Sequence, residues 1–230
     1  MADPLRVEGE ALEPGDALPA SLWMLGTVAS FILMMVSVRE LSTGMSSFEL
    51  LSFRSIVGIP VMCCVAWYMG FRHVRTRRMG LQVARNAFHF GGQWCWVLGI
   101  TMLPLAHVTA LEFTMPIWTA LIAVVFLRER FHLHRILAIA AGFVGVLVIL
   151  RPGLAIVTDA ALIVLFGAFL YGASNAMVKA LTSEDPPWVI VFWMQIIQLP
   201  MALVPALFWF EWVWPTWDDA PWLIFIGITG

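Results

Sequence analysis

Two ionisable residues sit inside runs that are otherwise apolar: Arg54, in SFELLSFRSIVGIPVM, and Glu112, in AHVTALEFTMPIW. A charge at the depth of a membrane span costs about 2.5–3.5 kcal/mol even on the mildest scale, so each needs a partner or a purpose. An arginine there can hold an anionic or polar group of a solute. A glutamate there can pair with the arginine or take up a proton. Arg54 lies six residues into its run and Glu112 seven into its own. If both runs cross in the same direction, the two lie about 9 and 10.5 Å below one boundary, at 1.5 Å per residue. Equal depth allows an ion pair that braces two helices. It equally allows a shared cavity in which the pair binds solute or forms a gate.

Other polar groups at depth are Asn86, His89, Gln93, Tyr171, Asn175, Gln195 and Gln198. Gln93, in FGGQWCW, lies about 13 Å from its helix end and can join Arg54 and Glu112. Gln195 and Gln198 lie nearer the opposite, inner side, where they would suit an opposed gate. Taken singly, each of these groups also suits an interhelical hydrogen bond. Trp94 and Trp96 flank Cys95 and point to different faces, so at most one lines a cavity, where its ring could stack on a planar solute. Pro60, Pro116 and Pro200 interrupt apolar runs, and Pro116 is the candidate hinge. The candidate binding or gating set is therefore Arg54, Gln93, Trp94, Glu112, Pro116, Asn175, Gln195 and Gln198.

No catalytic residue, metal or cofactor is expected. His132 and His134 lie two apart on a basic loop without a carboxylate or thiolate cluster. Cys63, Cys64 and Cys95 read as small buried hydrophobes. No spanning aspartate pair, and no serine matched to a deep histidine, supplies the parts of an intramembrane enzyme.

The elements that must position these residues follow from composition. Of 230 residues, 61% are hydrophobic and only 12% charged, which is not a soluble composition. At about 20 apolar residues per span there is material for roughly seven helices. Spans are expected at about 20–38, 48–70, 81–103, 105–127, 136–150, 160–178 and 187–210, with an eighth starting near Pro221. The fold class is an all-α polytopic membrane protein. Trp23, Trp67, Trp188, Trp209 and Trp212 fall near span ends, as in an interfacial aromatic belt. With the N-terminus cytoplasmic, ten of the thirteen basic residues fall on the inner side, the orientation expected from the positive-inside rule. The expected location is a plasma membrane, the inner membrane if the source is bacterial. A net charge of -2 leaves no basic field for nucleic acid, so the expected partners are the lipid bilayer and a small-molecule substrate. In the fifth span Ala138, Ala141, Gly142 and Gly145 give small-xxx-small spacing for close packing, within the chain or in a homodimer.

Sliding the chain by 140 residues places Leu41 on Leu181, Arg39 on Lys179, Phe53 on Trp193 and Pro60 on Pro200. Five spans precede the second copy, so it would be inverted in the membrane. From residue 81 to 153 the chain resembles the EamA family of the drug/metabolite transporter superfamily. The resemblance rests on PLA at Pro104–Ala106 leading into a helix, Pro116 in mid-span, Glu129 closing it in LRER, and GFVGVLVILRPG. FELLSFRSIVG, with Arg54, is similar to the arginine-bearing second helix of that family.

The resemblance implies inverted five-helix repeats and a ten-helix secondary carrier that moves small organic metabolites by alternating access. About 7.5 of the expected 10 transmembrane helices are then present. The expected organisation is a cytoplasmic tail at 1–19, a first repeat of five helices at 20–153 and a partial second repeat at 158–230. Glu112 makes proton coupling a further expectation. The alternative expectation is a truncated membrane protein, inactive alone or acting only in assembly with another chain. Substrate and direction are left open by the residues.

Overall fold

The computed structural model describes residues 17–127 and 158–229, together with Leu137, Ala140, Ala141, Gly142, Val144, Gly145 and Val148. Its helices are α1 (Ala17–Leu41), α2 (Ser47–Met69), α3 (Met79–Met102), α4 (Leu105–Glu112), α5 (Met115–Leu127), α6 (Asp159–Leu181), α7 (Pro187–Trp209) and α8 (Ala220–Thr229), with a 3-10 turn at Phe71–Val74. There is no strand among the described residues. Five stretches, Ser21–Leu41, Ser47–Met69, Leu105–Val125, Asp159–Leu181 and Pro187–Trp209, are long and apolar enough to cross a membrane. The protein is an all-α multi-pass membrane protein. Most of the expected fifth span, and Glu129, His132 and His134, lie outside the described residues; the described positions between 137 and 148 are helical and exposed.

Local chemistry sets the helix ends. Ser46 and Glu49 form a capping box at the start of α2: Ser46 Oγ accepts from the Glu49 N–H at 3.3 Å and Glu49 Oε2 accepts from the Ser46 N–H at 2.7 Å. Thr158 caps α6 through the Ala161 N–H, and α7 opens on Pro187, where a missing N–H costs nothing. α2 closes at Gly70, whose φ of 90° a side chain would resist. α3 has 24 residues, ample to span. Gln82, Arg85, Asn86, His89 and Gln93 lower its hydropathy, and they recur every three or four residues on a buried or half-buried face.

The expected span at 105–127 is long and apolar enough to cross a membrane, but its helix is interrupted: α4 and α5 are parted at Phe113 and Thr114. Thr114 donates from its backbone N–H and its Oγ1 to the Leu111 carbonyl at 3.1 and 2.7 Å. Pro116 then sits in the first turn of α5, where its ring is tolerated; inside a continuous helix it would crowd the Glu112 carbonyl. The cysteines are also only partly as expected: Cys95 is buried, Cys63 half-buried and Cys64 exposed on the outer face of α2.

Small residues bring the helices into contact. A Cβ added at Gly167 on α6 would lie 2.8 Å from Cys95 Cβ and 3.1 Å from the Gly92 carbonyl on α3, so the two backbones nearly touch. Gly172 does the same against Trp118 on α5, and Gly227 on α8 against Val57 on α2. In lipid, where apolar burial gives little drive, such close packing is what holds helices together.

The 140-residue interval reappears in the elements. Ser47 and Met69, the ends of α2, map onto Pro187 and Trp209, the ends of α7; Leu41 closing α1 maps onto Leu181 closing α6. Packing follows the same rule: α3 against α6 recurs as α8 against α1, and α2 against α8 recurs as α7 against α3. Arg54 meets Gln198 while Gly58 meets Gln195, an order that makes α2 and α7 antiparallel. The centre of that crossing falls near Ile56 and Ile196, which are themselves related by the interval.

Gly167→Val is expected to lower the stability of the detergent-solubilised protein by about 1–3 kcal/mol. Gly26→Ala, where an added Cβ meets nothing within 4 Å, is expected to leave it unchanged or raise it. Thermal unfolding of the two variants side by side checks both.

Candidate functional site

A cavity of about 260 Å³ lies where α1, α2, α3, α6, α8 and the α4–α5 break converge. Its wall is formed by Phe31 and Met34 from α1, Arg54 from α2, and His89, Gln93 and Trp96 from α3. Glu112 and Met115 come from the two sides of the break, Tyr171 and Asn175 from α6, and Thr229 from α8.

Arg54 is 3% exposed and is solvated by amides. Its Nη2 donates to Gln198 Oε1 at 2.6 Å. With the Gln93 amide oriented as the network requires, Gln93 Oε1 accepts from Arg54 Nη1 at 2.6 Å and Nε at 3.3 Å, and Gln93 Nε2 donates to Gln198 Oε1 at 3.2 Å. Gln198 Nε2 in turn lies 3.2 Å from Asn86 Oδ1 and 2.9 Å from His89 Nδ1. Accepting that bond leaves neutral His89 with its proton on Nε2. The His89 ring meets the edge of Tyr171 with centroids 5.1 Å apart.

Glu112 is the last residue of α4. Its Oε2 accepts from Trp96 Nε1 at 2.9 Å, and Trp96 leans on Phe31 at 5.9 Å between centroids. Asn175 Nδ2 contacts Met115 Sδ at 3.4 Å, tying α6 to the start of α5. The break therefore delivers a carboxylate to the cavity edge, where an unbroken helix would carry its backbone past. The cavity combines a cation, a carboxylate, amides, an imidazole and three aromatic faces. That combination can bind a polar solute with a flat ring and orient it by its edge.

The structure brings together four of the residues expected from sequence: Arg54, Gln93, Glu112 and Asn175 all line the cavity. Gln198 stands one step behind, holding Arg54. This corrects its expected place in an opposed inner gate: α7 crosses α2 so that Gln198 reaches the guanidinium itself. Gln195 is buried against Gly58 between α2 and α7, away from the cavity wall. Trp94 is a correction too, since it stacks on Phe48 at 5.5 Å with 37% of its surface exposed; Trp96 is the indole that faces inward. Pro116 is exposed and acts through the helix break rather than by lining. Residues outside the expected set are His89, Trp96 and Tyr171, with Phe31, Met34, Met115 and Thr229. A polar row on α3 at helical spacing was the signal for His89.

The riboflavin transporter of Rhizobium johnstonii is 29% identical over 197 residues, covering 83% of this chain and 64% of that protein. The chain thus spans a little under two thirds of that relative's length. The S-adenosylmethionine uptake transporter of Rickettsia prowazekii is 24% identical over 208 residues, covering 90% of this chain and 70% of its own. The riboflavin transporter of Vibrio cholerae is 27% identical over 215 residues, covering 91% and 71%. A protein known from a crystal structure shares the fold with a TM-score of 0.65 at 13% identity, over 88% of this chain and 74% of that one. Residues 18–151, more than half of the chain, match the EamA-like transporter family, and the chain belongs to that family.

Proposed function

We propose that the protein is a carrier, not an enzyme, that moves a small organic metabolite across a plasma membrane by alternating access. One observation carries the reading: Arg54 and Glu112, the charges expected at one depth, line one cavity with Trp96 and Tyr171. A catalyst would need a nucleophile matched to a base. The cavity offers instead a cation and a carboxylate among rings.

The substrate class we propose is a planar heteroaromatic metabolite with a polar edge. Trp96 and Tyr171 supply ring faces, and Arg54 offers N–H donors to a carbonyl, ring nitrogen or anionic group. Two relatives point the same way, being named for riboflavin and for S-adenosylmethionine; both compounds contain a flat nitrogen heterocycle. The 140-residue interval and the antiparallel α2–α7 crossing support a pair of inverted repeats, 20–153 and 158–230, rocking about the cavity. Basic residues gathered in 72–78 support a cytoplasmic N-terminus. Glu112, on the cavity wall and bonded to the Trp96 indole, is the residue proposed to carry a proton with the substrate.

In proteoliposomes, Arg54→Ala is expected to cut uptake of radiolabelled riboflavin or S-adenosylmethionine by about tenfold or more, equivalent to at least 1.4 kcal/mol. Trp94→Ala, outside the cavity, should stay within about twofold. Equal uptake by wild type and Arg54→Ala would contradict the reading. For coupling, an imposed pH gradient should stimulate uptake by wild type. Glu112→Gln should lose that stimulation while still exchanging substrate at equal pH.

A further inference from the structure

At one end of the bundle the segment 70–78, between α2 and α3, lies against the segment 182–186, between α6 and α7. Three side-chain contacts join them or join the first to α7. Thr76 Oγ1 donates to Asp185 Oδ2 at 2.6 Å, Arg78 pairs with Glu184 at 2.5 Å, and Trp193 Nε1 donates to the Val74 carbonyl at 2.9 Å. Asp185 is 5% exposed although it belongs to a connecting loop. A carboxylate so buried is retained only where donors replace its water. The second donor is Gln82 Nε2, at 3.0 Å.

Gln82 opens a continuous polar path into the bundle. Asn86 Nδ2 donates to the main-chain carbonyl of Gln82, one turn earlier on α3, at 2.8 Å, Gln198 Nε2 donates to Asn86 Oδ1 at 3.2 Å, and Gln198 Oε1 accepts from Arg54 at 2.6 Å. The opposite end is built on the same plan with other chemistry. There Phe53, the counterpart of Trp193, packs on Trp212 at 5.2 Å, and Glu49 accepts from the Val213 N–H. Among the described residues, the end at 70–78 is joined to the cavity by side-chain amides and the Gln82 main chain.

We propose that Asp185 is the latch of a gate at that end, and that the path Asp185–Gln82–Asn86–Gln198–Arg54 links the latch to the site. A solute acceptor that takes the Arg54 N–H from Gln198 frees that amide to turn. Asn86 then keeps only Arg85 on its Oδ1, its side chain is freer to leave the Gln82 main-chain carbonyl, and the turn of α3 that presents Gln82 to Asp185 loosens. Asp185 is thus a positioning residue rather than a contact for substrate. What triggers the latch rests on the carrier reading; the latch itself does not.

The test needs no substrate. Met34, which lines the cavity, is replaced by cysteine in a background where Cys63, Cys64 and Cys95 are serine or alanine. A membrane-impermeant maleimide is applied in vesicles from the face bearing 70–78. Labelling is expected to be slow in that background and about tenfold faster with Asp185→Asn. Glu184→Gln, which breaks only an exposed ion pair, should stay within about twofold. Gln198→Leu, at the far end of the path, should also speed labelling, and Asp185→Asn combined with it should add little more. Thr76→Val gives the same reading if Asp185→Asn does not fold. Labelling of Asp185→Asn or Thr76→Val at the background rate would overturn the latch. Full additivity of Asp185→Asn and Gln198→Leu would overturn the link. Loss of transport with these labelling rates intact would count against the carrier reading alone.

Discussion

Arg54 is a guanidinium 3% exposed inside a helix bundle, and the centre of this protein is arranged around the side chains that hold it. Two amides reach it: Gln93 from α3 and Gln198 from α7 both bond the Arg54 head from α2. Holding it there also fixes distances between helices. Gly58, one turn along α2, has no side chain to hold off Gln195, so α7 can approach closely enough for Gln198 to reach the arginine.

The cavity follows from the same economy of side chains. Gly92 and Gly167 let α3 and α6 approach backbone to backbone, which places His89 against Tyr171 and Asn175 within reach of Met115. The interruption at Phe113 and Thr114 stops α4 at Glu112, so that its carboxylate meets the Trp96 indole at the cavity wall. Two half-helices meeting at a site near mid-membrane are a recurring arrangement in carriers, because freed backbone is tolerated only where it borders a cavity.

Much of this was legible in the sequence for a simple reason: at 1.5 Å per residue, position along an apolar run is depth. Arg54, Gln93 and Glu112 could be placed at one level without knowing any contact, and the helix ends among the described residues fell within a few residues of the expected spans. Rotation about each axis was less accessible. Trp94 and Trp96 are equally deep, and which one turns inward depends on α1 supplying Phe31 as a neighbour. The polar row from Gln82 to Gln93 on α3 was readable as a face, yet its extension to Asp185 was not. Asp185 is buried where Thr76 and Gln82, each more than a hundred residues earlier, meet its carboxylate, a contact that local sequence does not announce. The break before Pro116 was anticipated as a hinge, but its placement at Thr114 follows from local hydrogen bonds to Leu111.

If Arg54 and its amides act as one unit, their energies cannot be separable. A double-mutant cycle of Arg54→Met and Gln198→Leu, read as unfolding free energy in detergent, addresses this directly. Each single variant strands a buried partner and is expected to lose stability. The double variant should recover part of it, with a coupling energy of about 1–3 kcal/mol. Losses that simply add would contradict the account, because they would mean that Arg54 does not depend on Gln198 for its place at the cavity.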